Sequence, residues 1–184
     1  MFKRREKRSI AQTTKQFVWP SMGWKRMGLY LRHRILRLND SPRNIALGLA
    51  LGAGVSFSPL MMTHLIQGGI FAYLLRANIP AALIGTIIGN PWTFPFIWYA
   101  SLSLGSAIFT LAGLPVDASP PSDVTLNMIW AMIFDDPMRL FLPWFVGGYI
   151  LCIGLTAVLY PIYLHLIKAA KRIKVRKKQA GENS

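Results

Sequence analysis

Polar and ionisable side chains that interrupt apolar runs are where an otherwise hydrophobic chain can do chemistry. His64 is one of them. It follows Ser56-Phe57-Ser58-Pro59 inside a stretch, Asn44 to Leu75, that contains no Lys, Arg, Asp or Glu, and Thr63 and Gln67 lie beside it. An imidazole there has two readings. In one it titrates or binds a ligand in a hydrated cavity. In the other it is a neutral ring bonded to backbone carbonyls that the proline break leaves free. Thr86, Asn90 and Thr93 surround a second break, where Pro91 and Pro95 each remove a backbone donor. Irregular backbone at membrane depth survives only where protein buries it or water reaches it, and broken helices commonly build transporter sites. The competing reading is that Asn90 only caps the broken helix. His64, Gln67, Thr86, Asn90 and Thr93 are therefore candidate lining residues of one polar pocket, with Pro59, Pro91 and Pro95 as helix breaks.

Other chemistry is not expected. There is no membrane-embedded carboxylate, no activated Ser or Cys pattern and no spacing of metal ligands. The single Cys152 sits in an apolar run and rules out an intrachain disulfide. Asp117, Asp123, Asp135 and Asp136 read as a solvated loop, and His165 as interfacial. The expectation is a protein that is not an enzyme and has no metal and no cofactor. Gly48, Gly52, Gly85 and Gly89 read as positions of close helix contact.

The elements that must hold these residues follow from charge. The chain has 184 residues, is 53% hydrophobic and only 15% charged, and its charges are unevenly spread. Of 21 Lys and Arg, 12 lie between Lys3 and Arg43 and 7 between Lys168 and Lys178. Asn44 to Leu75, Ala77 to Val116 and Leu140 to Ile167 carry no formal charge apart from the rings of His64 and His165. Apolar runs of this length read as membrane-embedded, since about 20 helical residues cross about 30 Å of hydrocarbon. The net charge of +14 then belongs to flanks that face anionic headgroups, not to nucleic acid, for which no recognition motif is present.

Residues 1–18 form a basic tail without apolar pattern. From 19 to 38, Trp24, Met27, Leu31, Ile35 and Leu38 recur at helical spacing, while Lys25, Arg26, Arg32, Arg34 and Arg37 occupy much of the remaining circumference. That pattern predicts an interfacial amphipathic helix whose basic residues contact lipid headgroups. Residues 41–76 predict a first hairpin, with Ser41-Pro42 as its cap and a break at Ser56–Pro59. Its pieces, about 14 and 17 residues long, would rise about 21 and 25 Å, which suits a re-entrant hairpin better than two full spans. Residues 80–112 repeat the scheme: Pro42-x5-Gly48-x3-Gly52-x6-Pro59 is echoed by Pro80-x4-Gly85-x3-Gly89-x5-Pro95. A periplasmic loop (113–139), a transmembrane helix (140–167) and a basic cytoplasmic tail (168–184) complete the chain.

Ser41-Pro42-x-x-Ile45-Ala46-x-Gly48, Ser56-Phe57-Ser58-Pro59, His64, Leu75-Arg76-x-Asn78, Gly85-Thr86, Asn90-Pro91-x-Thr93-x-Pro95, Tyr99 and Gly105 together resemble a bacterial membrane family, the domain of unknown function number twenty sixty-two. The likeness runs over roughly residues 25–165, with Met62 standing where the family pattern has glycine. It implies a helical inner-membrane protein and supplies no reaction.

The expected fold is all-α and integral to the membrane: two broken or re-entrant helical hairpins, a C-terminal transmembrane helix and an N-terminal amphipathic helix. Basic residues near spans stay cytoplasmic, so both termini should lie on the cytoplasmic side of the inner membrane, and residues 80–112 must cross. This breaks strict symmetry between the repeats. Two functions fit: a transporter-like or lipid-handling protein with a polar pocket between the hairpins, or a structural accessory protein that binds anionic lipid and a partner. A homo-oligomer or a membrane-protein partner is compatible with either. Reporter fusions at Ser9 and Ser184 are expected to read cytoplasmic and one at Ser119 periplasmic; a cytoplasmic reading at Ser119 would overturn this topology.

Overall fold

The computed structural model describes residues 23–60, 63–90, 92–114 and 140–182, and among them every regular element is helical. The chain divides into two compact units, Met1–Arg37 and Leu38–Ser184. The first unit contributes α1 (Gly23–Leu36). Arg26, Arg32, Arg34 and Arg37 are exposed, whereas Leu31 and Ile35 are partly covered, and Arg34 donates to the Tyr30 hydroxyl at 2.8 Å. Residues 19–22 and the side chains of Trp24, Lys25 and Met27 lie outside the described residues, as do Met61, Met62, Pro91 and the expected periplasmic segment from residue 115 to 139.

The second unit is built on α2 (Pro42–Val55). The Ser41 hydroxyl accepts the Asn44 N–H at 3.1 Å, and Pro42 fills a first-turn position where no amide donor is needed. From Ile45 to Val55 every residue but Leu47 is buried. Its neighbours come next in the chain: α3 (His64–Leu74), α4 (Ile79–Gly85) tightening into a 3-10 turn over Thr86–Ile88, α5 (Phe94–Leu111) and α6 (Phe141–Glu182).

Small residues set how these helices meet. A Cβ on Gly48 would strike the Asn78 carbonyl and lie 3.0 Å from Ala81 Cβ, one on Gly52 would strike the Ala82 carbonyl, and one on Gly89 would lie 2.9 Å from Ser56 Cβ. These partners advance together along the two chains. Hence α2 and α4 run parallel, in backbone contact, from the Asp40–Asn78 end to the two breaks. Against α6 the order reverses: Gly54 meets Cys152 and Thr156, Thr156 donates to the Ala50 carbonyl at 3.4 Å, and Lys171 donates to the Asp40 carbonyl at 2.8 Å. Pro143 and Gly147 likewise close on Gly105 and Ser101 of α5. So α6 is antiparallel to both α2 and α5, and α5 continues in the direction of α4. By contrast α3 folds back on α2, since the Asn78 N–H donates to the Asn44 carbonyl at 3.0 Å and a Cβ on Gly68 would lie 3.7 Å from Val55 Cγ2. The two repeats share caps and breaks, and they part company after the break.

Three boundaries differ from the pattern reading. The helix after the first break begins at His64, not Leu60, and has 11 residues. Before it, the Thr63 N–H and hydroxyl both turn back to the Leu60 carbonyl, at 3.3 and 2.6 Å. The helix before the second break, α4, has only 7 residues, because the Thr86 carbonyl takes the Gly89 N–H at 3.0 Å and tightens the chain. And α6 does not stop at Ile167. Its 42 residues, rising about 63 Å, carry on through Lys168 to Gln179, where good helix formers follow one another without Gly or Pro.

Among the described residues, two helices are long and apolar enough to cross a membrane, Phe94–Leu111 and Phe141–Ile173. Both present large apolar side chains outward: Phe96, Tyr99 and Leu111 on α5, and Ile153, Val158 and Leu166 on α6.

A carboxylate ties the starts of α2 and α4 together. Asp40 accepts from the Ser41 N–H at 2.6 Å, from Asn44 Nδ2 at 2.9 Å and from Asn78 Nδ2 at 2.9 Å. Asn78 in turn caps α4 by accepting the Ala81 N–H at 2.9 Å. The hydrogen bond from Asn78, helped by those from Ser41 and Asn44 and by the charge of Lys171, holds the Asp40 carboxyl below its usual 3.8 against the opposing effect of burial. A lowered native value means that the carboxylate's contribution is complete above its unfolded value and is lost as pH falls through the native one. Replacing Asn78 with Ala is expected to lower stability by about 1 kcal/mol or somewhat more, since a cap is lost together with a carboxylate partner. Asp40→Asn should flatten the acid limb of the stability–pH curve below 3.8. Thermal unfolding in detergent across acidic pH checks both; an unchanged acid limb in Asp40→Asn would contradict this role.

Candidate functional site

Between α2 and α3 the helical ladder stops at Ser56–Pro59, and the groups this frees are met by side chains from other helices. The N–H groups of Phe57 and Ser58 still reach back, to Gly54 and Val55 at 3.0 Å each. The carbonyls turn elsewhere. Ser101 of α5 donates to the Phe57 carbonyl at 3.2 Å, and His64 Nε2 lies 3.2 Å from the Ser58 carbonyl. A carbonyl can only accept, so Nε2 carries the proton in this bond and Nδ1 is the ring nitrogen not engaged in it. Ser56, fully buried, shares its hydroxyl proton between the carbonyls of Gly52 and Thr86, at 3.1 and 3.4 Å.

Gln67 is the hub. Its amide nitrogen donates to the Ser58 hydroxyl at 3.0 Å and to the Thr63 hydroxyl at 2.6 Å, and its carbonyl oxygen accepts the Tyr149 hydroxyl at 2.8 Å. Among the described residues this last bond is the hydrogen bond that joins α3 to α6. It passes beside Phe57 and Pro59, whose atoms press on Gly148. Ser58 is 2% exposed, while His64 and Gln67 are half-buried.

The second break is organised locally. Asn90 Oδ1 accepts the N–H groups of Trp92 and Thr93 at 2.9 and 3.1 Å, and the Thr93 hydroxyl accepts the Asn90 N–H at 3.1 Å. The Thr93 hydroxyl also faces the carbonyls of Ile88 and Asn90. Pro95 sits in the first turn of α5 and breaks nothing there, because a helix start leaves its first amides unpaired in any case. Thr86 links the two regions. Its hydroxyl donates to the Leu83 carbonyl at 2.8 Å, its carbonyl takes the Ser56 hydroxyl, and its methyl lies 3.3 Å from where a Gly68 Cβ would stand.

Hydrogen bonds thus divide the five pocket candidates. His64 and Gln67 belong to the first break, Asn90 and Thr93 to the second, and Thr86 lies between; among the described residues no hydrogen bond joins the first pair to the second. The residue pattern did not single out Ser101 and Tyr149 as partners of the break. Each carried a signal nonetheless: a hydroxyl within an apolar helix has to find an acceptor or donor inside the protein.

Over residues 25–176 the chain matches the family described as an uncharacterized protein conserved in bacteria (DUF2062). The chain belongs to that family. No curated protein and no solved structure matches it. Membership in DUF2062 covers α1 through most of α6 and therefore both breaks.

Proposed function

We propose that this chain is a non-enzymatic, multi-pass protein of the bacterial inner membrane that passes a small polar or proton-carrying solute at its first helix break. One observation carries the reading. The Ser58 carbonyl fixes the His64 ring through Nε2, so the ring can exchange a proton at Nδ1 without giving up its anchor. An ionisable group beside so much exposed apolar surface is costly, and the same bond also meets the Ser58 carbonyl at the break.

The surroundings support movement as well as binding. Whereas α2 is locked to α4 and α6 by backbone contact at Gly48, Gly52 and Gly54, α3 is joined to α6 by the Tyr149–Gln67 bond. Breaking that one bond costs about 1 kcal/mol and would loosen α3 from α6 while its packing at Gly68 against Val55 and Thr86 is kept. In this scheme the ends near Arg43 and Arg76 face the cytoplasm with both termini, α1 rests on anionic headgroups through Lys25, Arg26, Arg32, Arg34 and Arg37, and Thr86, Asn90 and Thr93 form the wall of the same pocket. A second reading, a structural protein that organises a membrane partner, draws on the saturated bonding of Gln67, Asn90 and Thr93.

Ser58→Cys in a Cys152→Ala background, reconstituted in bilayers, should react with a small water-soluble thiol reagent. Nitrogen-15 NMR of His64 should show Nε2–H retained while Nδ1 titrates. A deletion strain's altered solute profile should be restored by the wild type and not by a folded His64→Ala protein. An inert Ser58→Cys together with a ring that never titrates would instead leave the structural reading standing.

A further inference from the structure

The end of the molecule opposite the breaks gathers cations without giving them a counter-ion. Arg43 precedes Asn44, Arg76 precedes Asn78 by two residues, and Lys168 and Arg172 flank Lys171; Asn44, Asn78 and Lys171 are the groups that bond Asp40. All four cations are exposed. Asp40 is the one acidic residue between Glu6 and Asp117, and its oxygens are engaged by the Ser41 N–H, Asn44 and Asn78. Among the described residues, none of the four forms an ion pair.

These cations also stand at the margin of apolar surface. Leu74, Leu75 and Ile79 surround Arg76 in sequence and are exposed; so are Leu166 beside Lys168 and Ile173 beside Arg172. A nucleic acid or an acidic protein loop would satisfy the charge and leave that apolar margin in water. An amphiphile with an anionic head satisfies both. We propose that Arg43, Arg76, Lys168 and Arg172, ordered around the Asp40 knot, form a binding site for the headgroup of an anionic phospholipid whose acyl chains lie along the apolar margin. This site uses residues of the second unit alone and does not depend on the solute reading above.

Arg76 provides the sharpest handle. It ends α3 with φ 52, a left-handed conformation that costs an L-residue roughly 1–2 kcal/mol and suits glycine. The turn itself is held by main-chain bonds, Arg76 N–H to the Tyr73 carbonyl at 3.2 Å and Ala77 N–H to the Ala72 carbonyl at 2.7 Å. Arg76→Gly therefore removes the charge while easing the backbone. If Arg76 served only as a cation at the C-terminus of α3, its removal would act equally in every lipid.

The full-length protein is reconstituted into nanodiscs of phosphatidylethanolamine with and without phosphatidylglycerol, and bound lipid is counted by native mass spectrometry after release into detergent. Wild type should retain phosphatidylglycerol preferentially and melt higher in its presence. Arg76→Gly should cut the preference roughly fivefold, the factor expected for each basic residue near an anionic surface, and the combined Arg43→Gln, Arg76→Gly, Lys168→Gln, Arg172→Gln protein should lose it. A control with Arg26, Arg32, Arg34 and Arg37 changed to Gln should keep the detergent-stable lipid. Unchanged retention in folded Arg76→Gly and in the combined variant would overturn the site. So would equal stabilisation of wild type by inorganic phosphate or by phosphatidylethanolamine alone.

Discussion

A polypeptide that stops being a helix among apolar surroundings leaves amides and carbonyls that the protein itself must satisfy, and the second unit is arranged around that constraint. Two breaks, at Ser56–Pro59 and at Gly89–Thr93, are set side by side by the parallel contact of α2 and α4. Each meets its bonding requirement differently. The second break closes on itself through Asn90 and Thr93. The first draws on three other elements, through His64 and Gln67 of α3, Ser101 of α5 and Tyr149 of α6. A break that depends on groups from several helices is sensitive to their relative movement, and in this the first break differs from the second.

That dependence requires α2 to be closely surrounded. Between helices in lipid there is little hydrophobic driving force, so association rests on close packing and hydrogen bonds, which small residues allow. Gly48 and Gly52 admit the Asn78 and Ala82 carbonyls, Gly85 admits Leu49, and Gly54 admits Cys152. At the far end the Asp40–Asn44–Asn78 bonds fix the starting points of both parallel helices, so that the register at the breaks is set at both ends. Gly154, by contrast, faces open space, as does most of the apolar surface of α6.

Features written in short segments were legible in the sequence. Ser41-Pro42 marks a helix start because a hydroxyl acceptor and a proline suit that position, and the break at Ser56–Pro59 falls where serines and a proline interrupt an apolar run. Gly48, Gly52, Gly85 and Gly89, read as positions of close helix contact, lie where α2 meets α4 and the turn that follows it. Partners far apart in sequence were less legible. Nothing near Gln67 points to Tyr149, and the bond of Asp40 to Asn78 joins residues 38 positions apart. The start of α3 was misplaced because Leu60 is apolar, although the turn at Thr63 delays the helix. The division of the pocket candidates between two hydrogen-bonded groups was hidden for a similar reason: the Asn90–Thr93 motif can close a helix end or line a cavity with the same residues.

Backbone contact between α2 and α4 is the claim on which the placement of both breaks rests, and glycine substitution tests it directly. Gly52→Ala and Gly85→Ala place a methyl group against backbone atoms that cannot give way, whereas Gly69→Ala and Gly154→Ala meet nothing within 4 Å. Reversible unfolding in mixed detergent should show the first pair destabilised by about 1–3 kcal/mol. The second pair should be unchanged or stabilised by up to about 1 kcal/mol, from better helix propensity. Equal responses from all four variants would contradict the account.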